Sequence, residues 1–372
     1  MTSRTALLTG ATGFLGSSLA VELLHRDRRL VYCLVRPKGD ITARLHGAVR
    51  AAAEAAGTTN GIDDQLGRLV PLAGDIGQPG LGLSPEDRAR LVSDRPDEVW
   101  HAAASLRYED RHRDEIIATN VGGTTNLVEA AAELHIPELN HISTAYVAGQ
   151  KVGDVHEEPY EPTFEPNNWY EASKRQGEDV VVSHSERFAR ARIMRPSIVV
   201  GTLSTYRSSS DSGYYGFLRG LERFCRVVER RQAGYLDRHE VKLLVEPSSS
   251  LNLVPVDVLC EEAVALADDP GEVGRYFHLT NPFPITIERA RIGPESSIDR
   301  LRLDLVEDRD LLGEYDALLD DALDFYRPYL RNDKTFIRAR DGGDPPAAIR
   351  IGDDDLAKLS IVHLEQKRAL RR

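Results

Sequence analysis

Short apolar runs alternate with amphipathic stretches through the first 200 residues. Strands and helices that alternate with short connectors favour an α/β fold built on a parallel, doubly wound sheet. The runs predicted as strands are 6–9, 30–35, 68–73, 98–101, 139–143 and 193–194. The stretches predicted as helices are 14–24, 42–56, one opened by Ser84 and Pro85, 115–134 and 170–188.

The regular alternation of predicted strands and helices ends after Gly201, where the predicted loops are longer and the strands less regularly spaced. We therefore predict three segments: a sheet domain at 1–200, a smaller portion at 201–284 that covers the substrate, and a helical C-terminal extension at 285–372 of unknown role. Within the extension, the acid-rich stretch 303–324 is predicted as a solvated helix. Further elements predicted after Gly201 are helices at 214–231 and 256–267 and strands at 241–245, 251–254 and 276–279.

Composition narrows the class of protein. The 372 residues carry a formal net charge of −12, which argues against a general nucleic-acid binder. Three scattered cysteines suggest neither a disulfide framework nor a zinc site. No apolar run approaches the roughly 20 residues of a membrane span, and no leader pattern opens the chain. A cytoplasmic protein without a bound metal is the expectation, and the oligomeric state stays open.

A glycine-rich turn follows the first predicted strand. Gly10, Gly13 and Gly16 are spaced by three and three, at the junction of that strand with a predicted helix. Such glycines permit a tight turn, close approach of backbone to a pyrophosphate, and close packing of helix on strand. The helix N-terminus then offers N–H groups to phosphates. The simpler alternative is a plain strand-to-helix turn.

The end of the second strand bears on which dinucleotide would bind. An acid there would bind a ribose 2′-hydroxyl, but the sequence has Arg36 and no acid before Asp40. Since a guanidinium suits a 2′-phosphate, NADP(H) is preferred over NAD(H). Asp75, after the third strand, is a candidate acceptor for the adenine amine. The alternative for Arg36 is a solvated surface charge.

Tyr170 and Lys174 lie four residues apart on a predicted helix and would share one face. When hydride reaches a carbonyl carbon, the oxygen needs a proton, which a tyrosine can donate. A nearby ammonium would lower the pKa of Tyr170. Ser143 or Thr144, at the end of the fifth strand, would supply a second hydroxyl to the carbonyl oxygen.

Taken together, these motifs resemble the extended short-chain dehydrogenase/reductase superfamily over residues 5–282, with the thioester reductase and fatty acyl-CoA reductase branch most similar. The resemblance rests on TGATGFLG (9–16), CLVRPK (33–38), GDI (74–76), VWHAAASLRYED (99–110), NVGGT (120–124), HISTAYVAG (141–149), YEASK (170–174), RPSIVVG (195–201), NLVPVD (252–257) and YFHLTNP (276–282). It implies a Rossmann-type fold.

The resemblance also implies roles for individual residues. Thr144 would touch the substrate carbonyl with Ser143 beside it, Tyr170 would be the acid, and Lys174 would also hold the nicotinamide ribose. His101 and His141, at strand ends near the cofactor, favour packing or cofactor contact over metal ligation. The implied NADP(H)-binding residues are Gly10, Thr12, Gly13, Phe14, Leu15, Gly16, Arg36, Asp75, Ile76, Ala102, Ala103, Asn120 and Lys174.

The implied activity is NADPH-dependent reduction of an acyl thioester to aldehyde or alcohol, the thioester being an acyl-CoA or borne by an acyl carrier protein. One alternative keeps the catalytic residues but takes a ketone, aldehyde or alcohol. A nucleotide-sugar epimerase or dehydratase is disfavoured by Arg36, and a non-catalytic NADP(H) sensor by the intact catalytic set.

A stripe of arginines bears on the substrate. Arg219, Arg223, Arg226 and Arg230 fall on one face of the predicted helix 214–231. Arg223 and Arg226 are therefore candidates to receive an anion, either a CoA or pantetheine phosphate or an acidic carrier-protein helix. The alternative to an anion-binding site is a solvent-exposed helix face on which Glu222 and Glu229 accompany the arginines.

Overall fold

The computed structural model describes residues 4–26, 28–272, 274–331, 333–339 and 350–370. The strands of this part of the chain are β1 (Thr5–Thr9), β2 (Leu30–Val35), β3 (Leu69–Ala73), β4 (Glu98–His101), β5 (Glu138–Ile142), β6 (Gly153–Val155), β7 (Arg190–Pro196), β8 (Ile198–Val200), β9 (Val241–Leu244), β10 (Ser250–Leu251), β11 (Leu253–Pro255), β12 (Tyr276–Leu279), β13 (Ile285–Thr286), β14 (Leu303–Val306) and β15 (Lys334–Phe336).

The helices of the same ranges are α1 (Phe14–His25), α2 (Ile41–Ala56), α3 (Ile62–Gln65), α4 (Pro85–Asp94), α5 (Arg113–Ile117), α6 (Gly123–Glu133), α7 (Trp169–Ser183), α8 (Tyr214–Arg231), α9 (Tyr235–Arg238), α10 (Val256–Asp268), α11 (Ile287–Ala290), α12 (Ile292–Ser297), α13 (Glu314–Ala322), α14 (Arg327–Arg331) and α15 (Asp353–Ala369). None of them combines the length and apolar character that crossing a membrane requires.

Seven strands form a central parallel sheet in the order β12-β7-β5-β4-β1-β2-β3. From β1 the chain first builds outward through β2 and β3, then crosses back to place β4 on the other side of β1. The carboxyl ends of strands at such a reversal leave a crevice in which α/β proteins bind ligands. The predicted Rossmann-type, doubly wound sheet is confirmed.

Burial explains why these runs become central strands. Every residue of β1 and β4 is buried, which suits a parallel sheet covered by helices on both faces. Leu7, Val99 and Leu139 come from three adjacent strands and share one apolar core with Leu127 of α6 and Val181 of α7. The core therefore fixes both the sheet and the helices that follow β4 and β5.

The chain divides into two compact units, each built from separated segments. The first comprises Met1–Gly149, Glu157–Pro196 and Val256–Leu279, and it holds the seven-stranded sheet. The second comprises Gln150–His156, Ser197–Pro255 and Thr280–Arg372. The second unit contains the two-stranded ladders β6–β15, β8–β11, β9–β14 and β10–β13. The functional division at residues 200 and 284 stays a prediction.

The acid-rich stretch 303–324 is not one helix, so that prediction is wrong. Its first residues form β14, which pairs in parallel with β9, and its α-helical part is Glu314–Ala322. Leu303 and Val306 are buried, so their apolar side chains outweigh the acidic composition of the stretch. The helix starts after Gly313, whose N–H donates to the Asp316 carboxylate at 3.1 Å.

Candidate active site

The glycine turn lies where β1 ends and α1 begins. Gly10 has a φ of +80°, and a Cβ on it would come within 2.7 Å of the Ala102 and Ala103 backbone. A Cβ on Gly16 would overlap the Gly10 carbonyl oxygen. Both positions therefore require glycine, the first for its conformation and for strand-to-strand approach, the second for packing of helix on turn.

The start of α1 fits the pyrophosphate of a dinucleotide. Gly13 precedes the helix without a side-chain cap, and the first turn carries no acid that would repel an anion. Thr12 and Gly13 are exposed, while Phe14 and Leu15 are partly buried. The N–H groups of this turn are thus placed at the reversal of strand order, where the fold expects a ligand.

The end of β2 presents basic groups and no free acid. Arg36 is exposed, and in the described part of the chain it forms no ion pair. Asp40 instead caps α2 by accepting from the N–H groups of Thr42 (2.9 Å) and Ala43 (3.0 Å). Arg44 donates to the carbonyl oxygens of Arg36 (2.9 Å) and Lys38 (2.8 Å) and so braces this loop.

Arg44 was missed from the sequence, although its place one turn after a capping aspartate could have pointed to it. The next strand end holds the predicted Asp75 and Ile76. Asp75 is partly buried and accepts from the Gly77 N–H at 2.9 Å, while the carbonyl oxygen of buried Ile76 accepts from Asn126 at 2.8 Å.

Asn120 lies in a π-helical turn, Ala118–Gly122, that joins α5 to α6. Its Oδ1 accepts from the Ser105 N–H at 2.7 Å, and its Nδ2 donates to the Ser105 carbonyl oxygen (3.0 Å) and the Ser173 hydroxyl (2.9 Å). Both amide hydrogens are therefore engaged within the protein. The direct cofactor contact predicted for Asn120 stays a prediction, and these bonds favour a positioning role. π turns occur often at functional sites.

Thr144, Tyr170 and Lys174 meet at the carboxyl end of β5. Thr144 follows the strand, and its hydroxyl is hydrogen-bonded to that of Tyr170. Lys174, one turn further along α7, is 4% exposed, and its Nζ donates to the Ile142 carbonyl oxygen at 2.6 Å. The helix begins at Trp169 because Asn168 caps it through the Glu171 N–H.

Burial sets the protonation states of this group. Desolvation, and secondarily the Glu171 carboxylate, raises the pKa of Tyr170 to about 12, against a smaller lowering by the Thr144 hydrogen bond. Desolvation lowers the pKa of Lys174 to about 8, opposed by the Glu178 carboxylate. The expected lowering of the Tyr170 pKa by Lys174 is therefore wrong in this structure, because desolvation dominates.

The side chain of Ser143 points into the interior of the protein. Its hydroxyl donates to the Glu178 carboxylate at 2.5 Å, and Ser143 is buried. Arg195 of β7 holds the same carboxylate from both sides, at 2.9 Å through Nε and 2.6 Å through Nη2. This buried cluster, which sequence reasoning missed, ties α7 to β5 and β7. A substrate contact by Ser143 stays a prediction, and the geometry favours a supporting role.

Arg223 and Arg226 lie on α8 in the second unit, and both are exposed. Arg226 forms an ion pair with Glu222 at 3.2 Å, and the same carboxylate accepts from Arg368 at 3.0 Å. Arg223 forms no ion pair among the described residues. The described ranges also hold no cluster of three or more potential metal ligands.

Comparison with known proteins places the chain in a family. Residues 8–263 match the family model described as male sterility protein. A protein named as a fatty acyl-CoA reductase, CG8303 of Drosophila melanogaster, is 28% identical over 262 residues, which cover 61% of this chain and 47% of the relative. The chain thus spans less than half the length of this relative.

Two solved structures are similar over almost the whole chain. The terminal R domain from the myxalamid PKS-NRPS biosynthetic pathway matches with a TM-score of 0.76 and 26% identity, covering 99% of this chain and 92% of that one. A thiolation-reductase di-domain from an archaeal non-ribosomal peptide synthetase matches with a TM-score of 0.72 and 20% identity, covering 98% and 76%.

The family match includes the glycine turn, the strand-end hydroxyl and the Tyr–Lys helix, of which the first two lie at the carboxyl ends of strands of one parallel sheet. The resemblance predicted from the sequence is confirmed. The chain therefore belongs to the male sterility protein family, in the thioester reductase branch of the extended short-chain dehydrogenase/reductases, a class of nicotinamide-dependent oxidoreductases.

Proposed function

We propose that this chain is an NADPH-dependent reductase of acyl thioesters that releases a thiol and an aldehyde, or reduces the aldehyde further to an alcohol. The observation that carries the proposal is the hydrogen-bonded pair of hydroxyls, Thr144 and Tyr170, next to the buried amine of Lys174. Two hydroxyls at one point suit the oxygen of a carbonyl group whose charge grows during reduction.

The chemistry divides between cofactor and protein. The nicotinamide, when bound, supplies a hydride to the carbonyl carbon. Tyr170 donates its proton to the carbonyl oxygen, and its raised pKa keeps the phenol protonated throughout the neutral range. Thr144 orients the same oxygen. For a thioester, the new hydroxyl then gives up its proton as the carbon–sulfur bond breaks, the carbonyl re-forms as an aldehyde, and the sulfur leaves with one proton as a free thiol.

The preference for NADPH is supported by the loop after β2. Arg36 is exposed, Arg44 braces the loop, and the nearest acid, Asp40, is committed to capping α2. A ribose 2′-phosphate would find guanidinium groups here, whereas a ribose 2′-hydroxyl would find no free carboxylate.

A thioester substrate is supported by what the relatives are called. One relative is named as a fatty acyl-CoA reductase, and one similar structure is a di-domain that joins a thiolation domain to a reductase. This chain would receive its acyl group as an acyl-CoA or from an acyl carrier protein. The exposed Arg223 and Arg226 are the proposed anion-binding residues.

The test is a panel of acyl-CoA and acyl-carrier thioesters, alongside ketones and aldehydes, incubated with NADPH. For a thioester, the amount of NADPH oxidised and the amount of free thiol released should increase together. The reason is that reduction of each thioester to the aldehyde frees one thiol. NADPH oxidation by ketones without thiol release would reject the thioester assignment. Tyr170→Phe serves as the inactive control for background oxidation.

A further inference from the structure

Three adjacent strands of the first unit carry polar side chains at one level of the sheet, at the last or next-to-last residue of each strand. Thr9, His101 and His141 are paired in register across β1, β4 and β5. All three are buried, and the two imidazole rings lie 5.3 Å apart. Thr9 and His101 have hydrogen-bond partners, whereas the two ring nitrogens of His141 have none among the described residues, so the bonds of His101 are the ones that bear on the adjoining site.

His101 has a partner on each ring nitrogen. Its Nδ1 lies 2.8 Å from the Thr9 hydroxyl, and its Nε2 lies 3.0 Å from the Thr124 hydroxyl of α6. The Thr124 hydroxyl also donates to the Asn120 carbonyl oxygen at 2.6 Å. A hydroxyl has one hydrogen, so Thr124 has none left for the imidazole.

The direction of every bond follows from that fact. Nε2 of His101 must carry the hydrogen and donate to Thr124. Burial, together with the nearby charge of Lys174, lowers the pKa of His101 to about 3, so the ring is neutral and has a single N–H. Nδ1 is then an acceptor for the Thr9 hydroxyl, and Thr9 in turn accepts from the Ala103 N–H at 3.3 Å.

A second directed path leaves the same π turn. The Asn120 amide donates to the Ser173 hydroxyl, and Ser173 donates to the Tyr170 carbonyl oxygen at 2.7 Å. The backbone beside Gly10 is thus joined to the backbone of Tyr170 by hydrogen bonds that run through His101 and Asn120. The Thr9–His101, His101–Thr124 and Asn120–Ser173 bonds each join two separate elements, so together they link β1, β4, α6 and α7 through buried hydrogen bonds.

We infer that His101 is a positioning residue, a neutral imidazole protonated on Nε2 that sets the glycine turn and the Tyr170 helix at a fixed separation. It acts through Thr124, Asn120 and Ser173 and touches no reacting atom. Its consequence for turnover rests on the proposed function. The tautomer and the chain of bonds do not depend on that function, because they follow from the hydrogen-bond geometry and from the neutrality of the buried ring.

The first arm of the test compares three variants of α6. Thr124→Val removes the hydroxyl that His101 needs, and Thr124→Ser keeps it. Thr125→Val is the matched control, because Thr125 makes the same kind of bond, to the Val121 carbonyl oxygen at 3.0 Å, without a histidine partner. We expect Thr124→Val to lower kcat about ten-fold or more with nearly unchanged NADPH affinity, since small misplacements at a reacting centre are costly.

Thr124→Ser should recover most of the rate, and Thr125→Val should keep it. The inference would be overturned if kcat fell equally in Thr124→Val and Thr125→Val. It would also be overturned if kcat fell equally in Thr124→Ser and Thr124→Val. If Thr124→Val does not fold, the comparison of Thr124→Ser with Thr125→Val decides, because only retention of rate in the serine variant agrees with a hydroxyl-dependent role.

The second arm needs no turnover. Nitrogen-15 NMR of histidine-labelled protein, assigned with a His101→Gln variant, should give a His101 signal that is protonated on Nε2 and does not titrate between about pH 5 and 9. A signal protonated on Nδ1, or a ring that titrates, would refute the chain. If wild-type protein reduces no thioester, the proposed function fails, and this arm still decides the inference.

Discussion

Lys174 donates its amine to the carbonyl oxygen of Ile142 across 2.6 Å, at the last residue of β5. The bond joins the catalytic helix to the strand that carries Ser143 and Thr144. It also fixes a buried charge in an apolar setting, where desolvation lowers the Lys174 pKa from 10.5 to about 8. The amine therefore changes charge just above neutral pH.

The rate of reduction should fall as pH rises through about 8. Below this value Lys174 is a cation that can hold a ribose hydroxyl, and above it the cation is lost, whereas Tyr170 keeps its proton up to about pH 12. The measurement is kcat against pH at saturating NADPH and substrate. A rate that stays flat from about pH 7 to 10 would show that the charge of Lys174 has no part in turnover.

Tyr170→Phe should abolish reduction while NADPH still binds. The substitution removes only the proton donor and its bond to Thr144. The loss in kcat should be at least about a hundred-fold, in keeping with general acid catalysis. Tyr160→Phe is the matched control, because the Tyr160 hydroxyl bonds to Asp179 at 2.8 Å. Substantial turnover by Tyr170→Phe would assign the proton to another group.

The sheet was predictable because its signal is local. The apolar run Leu30–Val35 coincides with a strand of the structure, since a central parallel strand is largely apolar on both faces. The glycine turn and the Tyr–Lys spacing are also local patterns. By contrast, Ser143 donates to Glu178, which accepts in turn from Arg195, and no short-range pattern in the sequence encodes such a meeting.

The same reasoning explains the errors. The stretch 303–324 has the composition of a solvated helix, but pairing with the distant β9 makes its first part a strand. The Tyr170 pKa depends on burial, which sequence spacing does not give, so the neighbouring lysine was weighted too heavily. Asn120 matches a motif, but its bonds to Ser105 and Ser173 appear only in three dimensions.

Glu178→Gln should destabilise the protein far more than a comparable surface change. The Glu178–Arg195 pair is almost fully buried, and removal of one charge leaves the other uncompensated, at a cost of about 3–5 kcal/mol. Glu133→Gln breaks the exposed pair with Arg88 and should cost less than about 1 kcal/mol. Urea unfolding of both variants measures the difference. Similar values for the two would mean that the buried pair contributes little.

Ser143→Ala separates a supporting role from a substrate contact. The hydroxyl is bonded to Glu178, so we expect a loss of about 1 kcal/mol in stability and a KM within a few-fold of wild type. Steady-state kinetics and urea unfolding are measured on the same preparation. A large rise in KM with unchanged stability would restore the substrate contact predicted from the sequence.

Arg36→Asp should weaken the binding of NADPH much more than the binding of NADH. The new carboxylate would repel a 2′-phosphate and could accept from a 2′-hydroxyl, so the ratio of the two dissociation constants should shift by about ten-fold or more. Arg50→Asp on α2 is the control of equal charge, because Arg50 pairs with Asp63 on the exposed surface. Equal weakening of both cofactors by Arg36→Asp would remove its assigned role.

Arg223→Glu should raise the KM for carrier-bound or CoA-bound acyl groups more than Arg226→Glu does. Arg223 is exposed without an ion pair among the described residues, whereas Arg226 is paired with Glu222, which also pairs with Arg368. The free cation is therefore the one available to a phosphate or an acidic helix. Raising the salt concentration should weaken wild-type binding, because screening reduces the attraction, whereas it should not weaken binding by Arg223→Glu, in which the new carboxylate repels an anion. Identical KM values for wild type and Arg223→Glu with both substrate classes would leave the arginine stripe as a solvated helix face.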